Sequence, residues 1–256
     1  MDILYELSKH PTFTIQDVDK YYDNIESARS AVKRMLSGSR AVKIRNNLYT
    51  CINPVTGGPV ADRFQIASAL TETSYVSHHS AMEYHGISDQ VFYDVYVSSE
   101  TRFTDFDFDG YTFHFVQSRL SEGIDEPSFS GGIRVTCLER TVADSIKDMD
   151  KISGLEEVWT NINSIRAINE DKLLHYLELY SNQFQYQKTG YLLSKAGRHL
   201  NLSDNFYDIC KSHIGYSKRY LTRDISDCKY NRDWMLVVPS DLETIKNGRE
   251  IINATI

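Results

Sequence analysis

Apolar positions recur at helical spacing three times before residue 40, and then switch to alternation. Ile3, Leu4 and Leu7 form a short stripe that predicts a first helix, stopped by His10-Pro11. Thr14-Ile15-Gln16-Asp17 has the spacing of a capping box, opening a second helix with Val18, Tyr21 and Tyr22 available to pack. Asp23 as cap and Glu26 three residues on repeat the device ahead of a third helix. There Ile25, Ala28, Val32, Met35 and Leu36 share one face. The opposite face carries Ser30, Lys33, Arg34 and Ser37, with Ser27 and Arg29 on the edges. Beyond Gly38, residues 41–45 and 48–52 alternate around Asn46-Asn47, which predicts a hairpin because asparagine tolerates the positive φ of a tight turn.

Three helices followed directly by a hairpin are the layout of a winged helix-turn-helix over residues 1–55, with the third helix as recognition helix. Charge sharpens this picture. The chain of 256 residues carries a net −7, yet residues 1–55 hold eight Lys/Arg against six Asp/Glu, and residues 27–47 hold six basic side chains and no acidic one. Attraction to phosphate decays within about a Debye length, ~8–10 Å, so acidic residues elsewhere in the chain are screened from it. The expected partner is double-stranded DNA, contacted by Ser27, Arg29, Ser30, Lys33, Arg34 and Ser37 on the helix. Arg40, Lys43 and Arg45 extend that surface along the wing. Lys43 and Arg45 alternate with Val42 and Ile44, so both are expected to point away from the core.

Asn53-Pro54-Val55-Thr56-Gly57-Gly58-Pro59 reads as a linker, which divides the chain into 1–55 and a second domain at 61–256. In the second domain, residues 63–70 and 77–86 read as helices, the latter capped by Ser77 and closed by Gly86. Residues 91–97 and 133–135 read as strands. Residues 106–115 alternate aromatic and polar side chains on both sides of Asp109-Gly110, the signature of a type I′ hairpin. Thr136-Cys137-Leu138-Glu139 has capping-box spacing. Residues 155–214 are mostly helical in pattern, and 234–238 read as a last buried strand. The expected fold class is α+β: an N-terminal winged helix-turn-helix, then a larger mixed α/β domain with an antiparallel hairpin and a helical C-terminal half.

Two later segments join the winged helix in a specific resemblance. They are Tyr75-Val76-Ser77-His78-His79-Ser80-Ala81-Met82-Glu83-Tyr84-His85-Gly86-Ile87 and Val135-Thr136-Cys137-Leu138-Glu139-Arg140-Thr141-Val142-Ala143-Asp144. With Gln187-Lys188-Thr189-Gly190-Tyr191-Leu192-Leu193 as a further segment, the chain resembles the AbiEi-type antitoxins over most of its length. These are predicted transcriptional regulators from bacterial abortive-infection, phage-defence toxin–antitoxin pairs. The resemblance implies that the N-terminal domain represses its own operon by binding promoter DNA, and that the rest counters a cognate toxin of the nucleotidyltransferase type. Inverted repeats are the expected operator, since one winged helix reads a single half-site. The two activities are expected to separate at the linker.

Other chemistry is weakly indicated. His85 lies six residues beyond His79, off the i, i+4 spacing of helical zinc ligands, so packed or exposed histidines are the simpler account of His78, His79 and His85. Arg140 and Asp144 read as an intrahelical ion pair. Asp105, Asp107 and Asp109 alternate on a strand with no E-x-K motif nearby, and neither glycine pair has phosphate-loop spacing. No catalytic residue, metal ligand or cofactor is therefore assigned, and no enzymatic activity is expected. Two other functions share part of this pattern: a nuclease or nucleic-acid-modifying enzyme targeted by the winged helix, and an interaction module that binds no DNA. The four dispersed cysteines read as reduced thiols, no apolar run reaches 18 residues, and no secretory signal is apparent. A cytoplasmic protein without membrane contact is expected.

Overall fold

The computed structural model describes residues 3–88, 90, 92–152 and 154–242. The class is α+β, as the pattern predicts, with an antiparallel hairpin and a predominantly helical C-terminal half. Two compact units make up the chain, Met1–Ser80 with Phe92–Thr136 and Ala81–Val91 with Cys137–Ile256. The units therefore do not part at residues 53–59, where the linker composition put a boundary.

The first unit opens with α1 (Ile3–Ser8), α2 (Ile15–Asp19) and α3 (Ile25–Ser37), followed by β1 (Ala41–Arg45) and β2 (Leu48–Cys51). The capping box on α2 forms as expected: Thr14 accepts from the Asp17 N–H and Asp17 accepts from that of Thr14. On α3 the cap is Asn24, not Asp23, with Oδ1 accepting from the Ser27 N–H at 2.9 Å. Asparagine reaches the first free N–H groups of a helix as well as aspartate does, and the chain enters α3 one residue later than the Asp-Glu spacing suggested. Ala28, Ala31, Val32 and Met35 are buried against Leu7, Phe13, Val18, Ala41 and Tyr49 in one hydrophobic cluster. Burial of a side chain such as Val32 or Met35 contributes about 1.5–3 kcal/mol. Phe13 exchanges backbone hydrogen bonds with Tyr49 (2.8 and 2.9 Å), adding a third extended segment beside the hairpin.

Residues 53–59 are a folded loop rather than a free tether. Asn53 N–H donates to the Gly58 carbonyl, Ile52 bridges Pro59, and Val60 N–H donates back to Cys51. The buried Thr50 hydroxyl donates to the Pro11 carbonyl at 2.7 Å and accepts from Ala61 N–H at 3.1 Å. Proline and glycine here shape a turn that returns the chain to β2. The expected 1–55 unit thus has its own cluster of apolar side chains but continues into the structure that follows.

That structure is α4 (Arg63–Ala69) with a six-stranded sheet, comprising β3 (Tyr75–Val76), β4 (Asp94–Ser99), β5 (Phe106–Phe108), β6 (Tyr111–Gln117), β7 (Ile124–Asp125) and β8 (Val135–Thr136). The order is β5-β6-β4-β3-β8-β7, with β4/β6 and β3/β8 parallel and the other pairs antiparallel. Asp109 (φ +50°) and Gly110 (φ +81°) are both left-handed, as a type I′ turn requires. The strand expected at 91–97 begins at Asp94, and Val91 lies outside the described residues. The Arg134 guanidinium donates to the carbonyls of Ser68 and Thr71 at 2.6 and 2.9 Å, satisfying the C-terminal end of α4.

The second unit is built from the end of α5 (His78–Tyr84), then α6 (Leu138–Asp148), α7 (Gly154–Ser164), α8 (Glu170–Tyr180), α9 (Gln183–Ala196) and α10 (Asp204–Ser212). A three-stranded sheet follows, ordered β10 (Cys228–Asn231), β11 (Leu236–Pro239), β9 (Arg219–Tyr220). Only β11 was legible as a strand. Neither expected cap at Ser77 or Thr136 forms that way. The Ser77 hydroxyl bonds Ser98 Oγ and His78 Nδ1, while α6 starts after Cys137 without a side-chain cap and Glu139 accepts from Asn169 N–H.

Arg140 and Asp144 form the intrahelical ion pair that their spacing predicts, and they are 1% and 2% exposed. Asp144 accepts from Arg140 Nε at 3.4 Å and from the Tyr180 hydroxyl. Lys188 on α9 donates to the carbonyls of Ile146 (2.6 Å) and Lys147 (2.9 Å) at the C-terminal end of α6, and burial pushes its amine down to about 8. At Gly190 an added Cβ would stand 2.2 Å from the Trp234 ring, so only glycine lets α9 approach it.

Candidate nucleic-acid interface

The helical period that buries Ala28, Ala31, Val32 and Met35 leaves the other side of α3 to solvent. Ser30, Lys33, Arg34 and Ser37 are exposed there, as expected, and Ser27 is half-buried in the first turn. The Ser37 hydroxyl donates to the Arg34 carbonyl at 3.1 Å, so that donor is already in use. Arg29 is exposed but paired with Glu26, one turn back on the same helix. An acid-free stretch beginning at residue 27 overlooks an acid at residue 26, because helix neighbours are set by i, i+3 and not by adjacency.

The hairpin after α3 places its two basic side chains differently. Lys43 is exposed. Arg45 is half-buried, its guanidinium 5.4 Å from the Phe103 ring centre and 5.5 Å from that of Phe106, with Nη1 shut off from solvent. The expectation that both point into solvent fails at a register irregularity between Lys43 and Arg45, which breaks the strict alternation. Arg40, between helix and wing, is exposed.

Four cations therefore remain on this face with no ion-pair or side-chain hydrogen-bond partner among the described residues: Lys33, Arg34, Arg40 and Lys43. With the Ser30 hydroxyl among them, the set offers donors for base edges and mobile charges for phosphates. Asn46 was read only as a turn former, yet it is exposed at the tip of the wing. Its position next to a positive-φ residue at a hairpin tip was the available signal. Asn47 (φ +55°) faces inward instead. Its Oδ1 accepts from Ile15 N–H at 3.0 Å and its Nδ2 donates to Gln16 Oε1 at 2.7 Å, fixing the wing turn to the start of α2.

The groups that invited an enzyme reading are engaged in structure. His79 stacks on Phe92, its Nε2 is 2.9 Å from the Asp94 carbonyl, and burial holds its pKa below the ordinary histidine value. Asp105 and Asp94 bracket His114, at 2.9 Å from Nδ1 and 2.7 Å from Nε2. Asp107 accepts from the Thr112 hydroxyl. Among the described residues no group of three or more His, Cys, Asp or Glu side chains is arranged to hold a metal ion. The four cysteines are free thiols, and burial raises Cys51 to about 11 and Cys210 to about 12. Among the described residues no helix is long and apolar enough to cross a membrane.

No protein-family model matches the chain, and no curated protein matches it. Among solved structures, the crystal structure of the Rv2827c protein from Mycobacterium tuberculosis is similar over 98% of this chain and 93% of its own. The TM-score is 0.67 at 12% sequence identity. At that identity the likeness is one of fold.

Proposed function

We propose that this protein is a DNA-binding antitoxin of an abortive-infection pair, which represses its own operon and counters a nucleotidyltransferase-type toxin in the cytoplasm. The observation that carries the DNA-binding half is the exposed face of α3 and the wing, where Lys33, Arg34, Arg40 and Lys43 stand clear of internal partners. Ser30 and Arg34 read base edges in the major groove, while Arg40 and Lys43 hold phosphates. Arg29 and Arg45, committed to Glu26 and to the Phe103–Phe106 pair, contribute little to the contact.

The antitoxin half rests on the likeness of the three motif segments to the AbiEi-type family. The helices that carry two of those segments pack together: Gln185 Nε2 on α9 donates to the main-chain carbonyl of Ala143 on α6, and Lys188 Nζ to those of Ile146 and Lys147 near its C-terminal end. The protein acts by binding, with no reaction of its own.

Gel retardation on the DNA upstream of its own reading frame tests the first half. Retardation at low salt, removed by Lys33→Ala with Lys43→Ala, supports it, and none at any protein concentration rejects it. Co-expression of the full chain with the adjacent reading frame tests the second half. If that product is toxic and its toxicity is undiminished by this chain, the antitoxin reading fails.

A further inference from the structure

We propose that the small C-terminal sheet carries a second nucleic-acid site, which takes single-stranded chains by stacking bases on Tyr220 and Tyr230. The site lies in the second unit and does not depend on the winged-helix reading.

The register places the two tyrosines in one row. Tyr230 on β10 pairs with Val237 on β11, and Val237 pairs with Tyr220 on β9. Residues directly opposite across neighbouring strands share a face, so the two rings flank Val237 on the same side of the sheet. Val237 is buried beneath them, whereas Tyr220 and Tyr230 are 47% and 44% exposed. Lys218 precedes Tyr220 by two residues, and its Nζ lies 5.5 Å from the Tyr220 ring centre and 5.6 Å from that of Tyr230. Two exposed aromatic rings with a cation beside both offer stacking to a base and charge to its phosphate.

Charge favours the same occupant. Residues 56–256 carry 20 basic and 29 acidic side chains, but residues 211–232 carry six Lys/Arg against two Asp. Of those two, Asp224 is turned onto the N–H and hydroxyl of Ser226. Beside Tyr220 lies an open cavity of about 400 Å³ walled by Asp150, Thr222, Arg223 and Ile225, room enough for a nucleobase. A duplex hides its base faces in the stack, so an aromatic platform selects the single strand. An acidic peptide would use the cations but leave the ring faces idle.

The test is fluorescence anisotropy on the full-length protein at low salt, with labelled oligo(dT) and oligo(U) of about 12 nucleotides, within the usual range of site sizes. Saturable binding of at least one is expected, and comparing the two arms distinguishes DNA from RNA. Tyr220→Ala with Tyr230→Ala should raise Kd about tenfold or more, and the corresponding pair of Phe substitutions should restore it, because stacking needs the ring and not the hydroxyl. Lys218→Ala should weaken binding severalfold and reduce its salt dependence. Lys33→Ala with Lys43→Ala, which impairs the winged-helix face, should leave this binding unchanged. The proposal is overturned if neither oligonucleotide binds, if the tyrosine-to-alanine pair binds as wild type does, or if only the winged-helix variant loses binding. Both tyrosines are substantially exposed, and circular dichroism of each variant confirms folding. Should the alanine pair misfold, the single changes Tyr220→Ala and Tyr230→Ala are measured in its place, and unchanged binding by both overturns the proposal.

Discussion

The Arg45 guanidinium lies over the Phe103 ring, 5.4 Å from its centre, and this contact binds the wing of the N-terminal helix-turn-helix to the sheet that follows it. Lys43, two residues earlier on the same strand, stays in solvent. Two basic residues that look equivalent in sequence therefore do different things. Lys43→Ala should weaken binding to all duplex sequences and make the slope of log K against log[salt] shallower by about 0.9, one phosphate contact. With Lys33, Arg40 and Lys43 on phosphates and Arg34 on a base edge, the wild-type slope should be about −2.7. Arg45→Ala should leave that slope unchanged and instead cost about 1–2 kcal/mol of stability, the scale of a desolvated cation–π contact. Salt-titrated anisotropy and thermal melts on both variants check the division; a shallower slope for Arg45→Ala would count against it.

Asn47 supplies the second prediction. Its left-handed φ of +55° suits the turn, and its side chain holds Ile15 N–H and Gln16 Oε1. Asn47→Gly keeps the backbone freedom but loses both bonds, so it should destabilise by about 1–2 kcal/mol. Asn47→Val loses the bonds and adds backbone strain, and should destabilise further. Equal melting temperatures for the two variants would show that the turn conformation carries no strain.

His114 should make stability depend on pH. Its partial burial works against the charged ring, but hydrogen bonds to Asp105 and Asp94 outweigh that and raise its pKa above 6.5. Asp105 likewise loses solvation, yet the Phe115 N–H and His114 hold its pKa below 3.8. A raised histidine contributes stability that is full below pH 6.5 and fades as pH rises through the folded pKa. A lowered carboxylate contributes above pH 3.8 and fades as pH falls through its folded pKa. His114→Gln should therefore lower Tm most between about pH 4 and 6.5, and less at pH 8.5. A Tm deficit independent of pH would mean that the ring acts by packing alone.

Within α6 the buried pair gives the largest expected effect. Asp144→Leu removes the carboxylate beside the Arg140 guanidinium in a site only 1% exposed, and Arg140→Met removes the cation beside Asp144; each should cost about 3–5 kcal/mol. Replacing both residues, Arg140→Met with Asp144→Leu, should be milder than either single change, because neither charge then stays buried without its counter-charge. Chemical denaturation of the two singles and the double closes the cycle; additive losses would show that the pair is not coupled.

The sequence made legible whatever depends on local period. The buried face of α3 follows from residues 28, 32 and 35, the cap of α2 from Thr14 and Asp17, and the β5–β6 turn from Asp109-Gly110. It missed what long-range packing decides. Nothing near Arg45 in sequence announces Phe103 and Phe106, which come from a strand region 58 or more residues away. Arg140 and Asp144 have the spacing of an intrahelical pair, but that spacing says nothing of depth; it is packing, with Tyr180 of α8 bonded to Asp144, that makes the pair an interior one. Strands β9 and β10 escaped notice because they are short and mostly exposed, with no apolar alternation to mark them.

The last prediction concerns the loop at residues 53–59, whose composition suggested that the two halves of the chain could be cut apart. Val55 is 91% exposed, and Pro54, Thr56 and Gly57 around it are exposed too, so a protease has access to the loop. The segments on either side of it, however, are held by contacts that do not pass through the loop. Thr50 joins Pro11 to Ala61, Ile52 bridges Pro59, and Arg45 packs on Phe103 and Phe106. An added Cβ at Gly131 would lie 2.8 Å from Pro11 Cγ, which shows how tightly the later segment approaches the first. A single nick between residues 55 and 58 should therefore leave both fragments associated under native conditions. They should elute as one species of unchanged size on gel filtration and separate only in denaturant. Operator binding should survive the nick, because α3 and the wing keep their supports. Spontaneous separation of the fragments in buffer would show that the winged helix is an independent domain after all.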